Sequence, residues 1–374
     1  MAKISIKKVP LTFSRGDHRA TSRELDLEID DREFVVLAGP AGCGHTSILR
    51  MIAGLDDIPT GEILIGERPV NDVRPEARDV AFVFRDGALY PNLDVRENIA
   101  FGLKLRKFSE TEIERRVADA AAALAIEPLL ARKPAGLTDD ERIRVAFARA
   151  IAKRAKVYLC ADPLSAVRGE ARTVLRAQLR ALHHRIQATI VYAAGDAVDA
   201  LALGDRLVVM HDGAVEQSGL PAEVYGHPTN VFVAGFLGDP RMNFVPGTLK
   251  QERDALVFSE SEGGTIVVRL PRSDGPAAEN FVGGEVLLGV RPEDVRLVEF
   301  DKTGEHDAAR FRGIAEGVEE TGGEMRLWLN TGAHTLVCRT SGGFQAVNPG
   351  RRVQAELNVS KAHLFDPISG RRLL

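Results

Sequence analysis

The amino-acid sequence predicts an α/β domain followed by an all-β domain, and three patterns support that fold class. The apolar run at 34–38 has the length and composition of a buried strand, and the run at 48–53 is compatible with a helix. A glycine-rich turn at 39–47 connects them, in the order strand, loop, helix. After Pro240 the pattern changes to short β-like runs separated by glycines, with no long helical segment apparent.

Two further stretches indicate secondary structure. Residues 3–37 alternate apolar and polar side chains in short runs, which suggests antiparallel strands. A helix is predicted to begin at a capping box formed by Ser109 and Glu112. Its apolar face is predicted to contain Ile113, Val117, Ala120, Ala121 and Leu124.

Length and composition describe an ordinary globular protein. A chain of 374 residues exceeds what one core usually serves, so two or more domains are expected. The hydrophobic content of 44% and the net charge of -4 are typical of soluble proteins, and that charge argues against nucleic acid as a partner. No stretch resembles a transmembrane segment or a signal peptide. We therefore expect a cytoplasmic chain that reaches the membrane only through a partner.

The three cysteines suggest a reducing compartment. Cys43, Cys160 and Cys338 are odd in number and show neither a disulfide framework nor metal-ligand spacing. Cys43 lies at a predicted helix N-terminus, where the pKa of a thiol can fall, so a reactive thiol is conceivable. A purely structural role is the favoured interpretation.

The turn at 39–47 has the pattern of a phosphate-binding P-loop, except that His45 occupies the lysine position. The alternative is a glycine-rich turn with no ligand. An unperturbed imidazole would be charged in about a tenth of the molecules near neutral pH. Thr46 would be a weak Mg²⁺ ligand. The candidate nucleotide-binding residues of the turn are Gly39, Pro40, Ala41, Gly42, Cys43, Gly44, His45, Thr46 and Ser47.

Between this loop and residue 240 the sequence resembles the ATP-binding subunits of ABC transporters, specifically importer subunits that serve sugars, polyols and glycerol phosphates. The segments that carry the resemblance are 52–55, 61–63, 88–91, 97–104, 144–150, 163–166 and 205–210. The resemblance implies a P-loop NTPase (RecA-like) core with antiparallel β and helical subdomains. This nucleotide-binding domain would span 1–238, with the helical subdomain at about 86–156.

The C-terminal part resembles the regulatory domain of the same sugar-importer subunits. Its landmarks are the segments 242–244, 289–293 and 363–366. The resemblance implies an OB-like (TOBE-type) domain at 239–374 with a dimer-contact and regulatory role.

Two further features of the first domain follow from the family resemblance. Phe13 lies near the aromatic residue that stacks on adenine in the family, although a strand phenylalanine is as often part of the core. Residues 88–104 resemble the surface on which permease subunits dock.

Several positions depart from the family pattern at the metal and water sites. Pro163, Leu164 and Ser165 fix the register, so Ala161 replaces the Mg²⁺-binding aspartate and Asp162 replaces the general-base glutamate. A methyl group cannot hold a metal's water shell, and the aspartate is one methylene shorter than the base it replaces.

Two positions that would sense the γ-phosphate are also replaced. Arg85 stands at the family's glutamine and cannot ligate a cation, because guanidinium only donates hydrogen bonds. It could contact phosphate, or form a salt bridge to Asp86 or another acid. Gly195 stands at the switch histidine and offers no side chain.

The signature loop differs most from the family's Leu-Ser-Gly-Gly-Gln. It reads Leu137, Thr138, Asp139, Asp140 and Glu141. The resemblance implies that this loop faces the γ-phosphate bound to the opposite subunit of a dimer. Its three carboxylates would cap their own helix and would repel that phosphate by on the order of several kcal/mol.

The sequence therefore predicts a degenerate, non-hydrolysing subunit of an ABC importer for carbohydrates or related solutes. It would bind ATP weakly, with doubtful use of Mg²⁺, and act as scaffold or regulator beside permease subunits and an active ATPase paralogue, or as a homodimer. One alternative is a weakly active ATPase that uses Asp162 as base and His45 or Arg85 as cation. Another is a soluble interaction or regulatory module that has left the transporter.

Overall fold

The computed structural model describes residues 2–15, 18–252, 255–270, 279–298, 309–321, 323–341 and 347–373. Backbone contacts divide the chain into two compact units, Met1–Val224 and Tyr225–Leu374. The sequence placed the boundary later, at 238–239. The difference arises because the guanidinium of Arg291 donates hydrogen bonds to the carbonyl oxygens of Tyr225 (2.9 Å), Ala234 (3.0 Å) and Leu237, which ties residues 225–238 to the second unit.

The first unit is built on two sheets. Its strands are β1 Ile4–Arg15, β2 His18–Ile29, β3 Phe34–Ala38, β4 Glu62–Ile65, β5 Arg68–Pro69, β6 Val80–Val83, β7 Val157–Ala161, β8 Thr189–Ala194, β9 Arg206–His211 and β10 Ala214–Gly219. The central sheet has the order β10-β9-β3-β8-β7-β6, and the smaller sheet has the order β2-β1-β4-β5.

The central sheet is parallel except for β10, which pairs antiparallel with β9. Strands β3, β7 and β8 are buried at every position, as expected of apolar strands covered on both faces. For that reason β3 belongs to this sheet, and the prediction of antiparallel strands for 3–37 is wrong for its last residues. Strands β1 and β2 do pair antiparallel. The loops after β3, β6, β7 and β8 all emerge at one edge of the sheet.

The helices of the first unit pack around these sheets. They are α1 His45–Ala53, α2 Val95–Leu105, α3 Glu110–Ala123, α4 Asp139–Ala152, α5 Gly169–Ile186 and α6 Ala197–Leu203, and a short helix α7, Pro221–Gly226, spans the boundary between the units. Among the described residues, no helix is long and apolar enough to cross a membrane.

Helix α3 tests the predicted capping box. The hydroxyl of Ser109 accepts a hydrogen bond from the backbone N–H of Glu112 (3.3 Å), as predicted. The carboxylate of Glu112 instead pairs with Arg115 and Arg116, at 2.8 and 2.6 Å, so the reciprocal half of the box is replaced by ion pairs. The predicted apolar face is confirmed, because its five residues are buried: Ile113, Val117, Ala120, Ala121 and Leu124.

The second unit is predominantly β. After helix α8, Val231–Phe236, its strands are β11 Asn243–Glu252, β12 Ala255–Glu260, β13 Val267–Leu270, β14 Glu285–Val290, β15 Val295–Val298, β16 Arg310–Thr321, β17 Glu324–Asn330, β18 Thr335–Ser341, β19 Arg352–Leu357 and β20 His363–Phe365. They form two five-stranded sheets, β13-β12-β11-β14-β20 and β15-β19-β16-β17-β18. Alternate residues of their strands fill one apolar core, as the period of a strand requires. The change to short strands after Pro240 is thus confirmed.

Candidate functional site

The loop between β3 and α1 forms a backbone cradle. Gly42 and Gly44 have φ angles of 87° and 103°, a region that glycine enters without strain. A Cβ atom added at Gly39 would lie 2.7 Å from the sulfur of Cys43, so this position also requires glycine. The first turn of α1 has no acidic residue and no side-chain cap, which leaves its N–H groups directed at the loop. Such an arrangement suits an anion.

Cys43 is a buried structural residue of this loop. Burial raises the pKa of its thiol to about 11, so the thiol is protonated near neutral pH. Its carbonyl oxygen accepts a hydrogen bond from the backbone N–H of Gly213 (3.1 Å). The prospect of a reactive thiol at the helix N-terminus is therefore wrong, because burial outweighs the helix dipole.

His45 does not replace the missing lysine charge. Its side chain is buried, with the residue only 6% exposed, and this burial together with the positive charge of Arg85 lowers the pKa to about 4. The imidazole is consequently neutral near neutral pH, below even the fractional charge that an unperturbed histidine would have. The loop thus keeps the N–H groups of a phosphate cradle and contributes no charged side chain of its own.

Arg85 and Asp162 meet at the same edge of the sheet. Strand β6 pairs in parallel with β7, with Val83 opposite Cys160, so the residues two places beyond each strand position are neighbours. Nη2 of Arg85 lies 2.6 Å from Oδ2 of Asp162. The arginine side chain is 67% exposed and the aspartate side chain 7%. Among the partners that the sequence allowed for Arg85, the structure has this acid rather than the adjacent Asp86.

The carboxyl group of Asp162 lies in an enclosed position. Burial raises its pKa, and the hydrogen bond and charge of Arg85 oppose that rise. Its Oδ1 atom is buried with no hydrogen-bond partner. Gly195 lies beside it, since a Cβ atom at that glycine would be 3.5 Å from Oδ2. The structure therefore brings together Arg85, Asp162 and Gly195, three of the positions that the family resemblance selected.

The backbone around Asp162 is held in place by neighbouring hydroxyl groups. Asp162 has a φ angle of 51°, a conformation in which aspartate is enriched. The hydroxyl of Ser165 donates to the Asp162 carbonyl oxygen (2.7 Å), and the hydroxyl of the buried Tyr192 accepts from the backbone N–H of Leu164 (3.2 Å). The carboxylate position is thus fixed by the fold.

The donors at this edge do not fit Mg²⁺. Ala161 ends β7 as part of the apolar core and provides only a methyl group. Arg85 brings a positive charge to the place where a metal would need an oxygen ligand. Thr46 is exposed and supplies one hydroxyl. In the described part of the chain, no group of three or more acidic, histidine or cysteine side chains is placed to hold a metal ion.

The altered signature loop forms the start of α4. Thr138 is the N-cap: its hydroxyl accepts from the backbone N–H of Glu141 (3.4 Å), and the Glu141 carboxylate accepts from the backbone N–H of Thr138 (2.9 Å). Asp140 accepts from the same hydroxyl (2.6 Å) and lies 3.5 Å from Arg144. Asp139 is exposed and Leu137 is buried. Capping by carboxylates is thus correct for Glu141 alone, because a hydroxyl occupies the N-cap.

A groove lies beside helix α2, on the segment that resembles the permease-docking surface. We call it the α2 groove; it has a volume of about 680 Å³. Apolar side chains along its length include Phe82, Phe84, Tyr90, Phe101 and Leu105. The groove is open to solvent, since Tyr90 is 42% exposed and Leu105 is 70% exposed.

Two polar side chains hold the loop backbone beside the α2 groove, Asn98 buried and Arg149 half-buried, and the sequence alone did not single them out. Asn98 is fully buried and bonds to the backbone N–H and carbonyl of Tyr90 (2.8 and 3.1 Å) and to the carbonyls of Leu93 and Asp94 (3.1 and 2.9 Å). The guanidinium of Arg149 donates to the carbonyls of Gly87 and Ala88, both at 2.8 Å.

In the sequence, Arg149 is a lone polar residue inside the apolar run 145–152, whereas Asn98 follows Arg96 and Glu97 and gives no such signal. Phe13, the remaining candidate, belongs by its backbone to β1, opposite Ala20. Its side chain lies outside the described residues, so adenine stacking stays a prediction.

Comparison with protein families gives matches along most of the chain. Residues 22–165 match the model described as ABC transporter, residues 238–295 match the MalK OB fold domain, and residues 288–365 match the TOBE domain. The sn-glycerol-3-phosphate import ATP-binding protein UgpC of Cupriavidus metallidurans is 38% identical over 100% of this chain and 99% of that protein. The uncharacterized ABC transporter ATP-binding protein YurJ of Bacillus subtilis is 37% identical over 98% of each.

Solved structures give a match for the first part of the chain. The dimeric structure of MJ0796, a bacterial ABC transporter cassette, is 27% identical and covers 58% of this chain and 98% of its own, with a TM-score of 0.53. The same cassette in a post-hydrolysis state, bound to ADP and phosphate, gives the same values.

Proposed function

The chain belongs to the family of ABC transporter ATP-binding proteins, and on that premise we propose that it is an importer subunit with a silent nucleotide site. ABC importer subunits of this type bind ATP, dimerise and work with permease subunits. In this chain, ATP binds weakly through the backbone cradle and is not hydrolysed. The subunit acts as scaffold or regulator of its transporter, on the cytoplasmic face of the membrane.

The observation that carries the proposal is the ion pair between Arg85 and Asp162. A general base must be free to accept a proton from water within hydrogen-bond reach. The Oδ2 atom of Asp162 is occupied by a guanidinium at 2.6 Å, and its Oδ1 atom is buried. Arg85 also opposes the rise in pKa that burial causes, so this carboxylate is a weaker base than it would be without the arginine. Water activation at this position is therefore poor.

The charges around the cradle support weak binding. A P-loop lysine is a fixed cation beside the β- and γ-phosphates, and His45 is neutral here because it is buried. Arg85 is the nearby cation, but pairing with Asp162 offsets its charge. Without an acidic ligand at Ala161, Mg²⁺ adds little to the affinity.

The α2 groove supports a role of this subunit in binding permease subunits. Its exposed aromatic and aliphatic side chains form an apolar trough, and the adjoining backbone is held by Asn98 and Arg149. Such a preformed apolar trough suits a helix of a permease. By similarity to the glycerol-3-phosphate import protein, the transported solute is a carbohydrate, a polyol or a glycerol phosphate.

The test of the silent site is Mg²⁺-dependent phosphate release by the purified chain, beside the variants Asp162→Asn and Arg85→Gln. We expect no release above background in any of the three. Calorimetry with ATP should give a dissociation constant that changes less than about threefold on adding Mg²⁺, equivalent to under about 0.7 kcal/mol. Turnover that disappears with Asp162→Asn would contradict the proposal.

The consequence for a mixed dimer follows from the altered signature loop. Paired with an active paralogue, the chain brings His45 and Ala161 to one composite site and the carboxylates of the α4 N-terminus to the other, so the pair should be slower than the paralogue's homodimer. The test is co-expression with paralogue and permease, followed by replacement of 137–141 with the family loop. If ATPase activity and transport stay unchanged in a verified heterodimer, the loop does not act as a brake.

A further inference from the structure

A cavity of about 560 Å³ lies in the first unit, away from the nucleotide cradle. Its walls come from α3, the end of α4, the start of β7 and the end of α5. Because the cradle is at the carboxyl ends of the parallel strands and this cavity is near the amino end of β7, the two lie at opposite edges of the central sheet. Neither the family resemblance nor the proposed function uses this cavity.

The cavity is positively charged. Arg116, Arg154 and Arg185 line it, and Asp119 is the acidic residue in its wall. Arg154 lies 3.3 Å from Asp119, and Arg116 lies 2.6 Å from Glu112. Within the described ranges, Arg185 has no ion pair or hydrogen bond, although it lies at the rim of the same cavity. One guanidinium is thus available to an incoming anion, and two others border the same space.

Tyr158 adds a second polar group, on the floor of the cavity. The residue is 4% exposed, and burial raises the pKa of its phenol to about 12. The backbone of Ala155 opposes that rise in pKa. The phenol is therefore protonated near neutral pH, and Tyr158 is one of the residues that line the cavity.

We propose that this cavity binds a phosphate monoester with a small organic body, of the sugar-phosphate class. A dianionic phosphate suits several arginines, since each guanidinium can donate two parallel hydrogen bonds to its oxygens. The volume exceeds what inorganic phosphate fills, and Ile151 and Ile186 supply apolar walls for a carbon skeleton. One ligand would then bridge Arg116 on α3 and Arg185 on α5, which links the helical layer to the core independently of the nucleotide cradle.

The first experiment is calorimetry on the full chain with glucose 6-phosphate, glucose and inorganic phosphate, at constant ionic strength and without ATP. We expect glucose 6-phosphate to bind with a dissociation constant below about 1 mM, inorganic phosphate at least about tenfold more weakly, and glucose not at all. Equal binding of the sugar and its phosphate, or no binding of the phosphate ester, overturns the proposal.

Variants then assign the site. Arg185→Gln should weaken glucose 6-phosphate about tenfold, because it removes the unpaired guanidinium, whereas Arg180→Gln on the same helix but outside the cavity should change nothing. Asp119→Asn should strengthen binding about threefold, since it removes the competing carboxylate. A misfolded variant would not bind the ester more tightly, so this gain in affinity cannot be explained by a loss of folding. Unchanged affinity in Arg185→Gln, or weaker binding in Asp119→Asn, overturns the assignment.

Hydrogen exchange locates the bound ester independently of the variants. We expect glucose 6-phosphate to protect the backbone at 116–120 and at 154–158. Protection confined to 39–47 would mean that the ester sits in the P-loop cradle, and the proposal would fail.

Discussion

The nucleotide edge of the central sheet and the α2 groove belong to the same unit, yet their polar side chains bind different partners. At the sheet edge, Arg85 and Asp162 form an ion pair, so each charged side chain has the other as its partner. In the α2 groove, Asn98 and Arg149 bind backbone carbonyl groups. All four residues lie within the range 22–165 that matches the ABC transporter family model.

This difference decides which side chains remain available to a ligand. Side chains that pair with each other are withdrawn from a ligand, because a third partner must first break the pair. Side chains that bind the backbone define a surface whether or not a ligand is present. At the sheet edge Arg85 and Asp162 are accordingly withdrawn from a ligand, while the backbone beside the groove is held by its own side-chain contacts.

The largest expected effect tests the groove side of the comparison. Asn98→Ala should lower the free energy of unfolding of the first unit by about 3 kcal/mol, because it leaves several buried backbone groups without partners. Unfolding in urea should be followed by far-UV circular dichroism, since Trp328, the single tryptophan, belongs to the second unit. The exposed neighbour Asn92→Ala is the control. A loss no greater than that of the control means that the groove is not fixed by Asn98.

A smaller effect tests the nucleotide side through pH. The pKa of His45 is lowered to about 4 in the folded chain, so between that value and the ordinary 6.5 the unfolded chain binds a proton that the folded chain does not. The contribution of His45 to the free energy of unfolding is fully present above pH 6.5. It decreases as the pH falls, by about 2 kcal/mol at pH 5.

The measurement compares unfolding at pH 7 and pH 5 in the natural chain and in His45→Gln. The variant should lose less stability on acidification, whereas His184→Gln, at an exposed position on α5, should behave as the natural chain does. Equal acid sensitivity in the His45 variant would show that the imidazole is not held neutral.

The smallest effect concerns the altered signature loop. Thr138→Ala removes the hydroxyl that caps α4 and should cost about 1 kcal/mol in the free energy of unfolding. The exposed Asp139→Ala, outside the capping box, should cost less. If the two variants are equally stable, the hydroxyl of Thr138 does not stabilise the start of α4.

The arrangement of the site at the sheet edge was accessible from the sequence. The apolar run at 34–38 correctly indicated a buried strand, and β3 occupies that range. The P-loop pattern placed a helix directly after this run, and α1 begins at His45. These features depend on local periodicity and glycine chemistry, which a single sequence displays.

Other features depend on contacts that sequence distance hides. Asp86 adjoins Arg85 in the chain, but Asp162 becomes its partner through the pairing of β6 with β7. The neutrality of His45 follows from the depth at which α1 packs, which no spacing reveals. The structural role of Asn98 depends on the loop carbonyl groups that its side chain binds, and only the fold brings these groups into position.

The ion pair between Arg85 and Asp162 also has a consequence for descent. Returning Arg85 alone to glutamine leaves a buried carboxylate without its cation, and replacing Asp162 alone leaves the guanidinium without its anion. The first of these steps lowers stability, whereas the second leaves a guanidinium whose side chain is 67% exposed and is therefore solvated. The carboxylate therefore depends on the arginine more than the arginine depends on the carboxylate, which constrains the order in which the two residues can be exchanged.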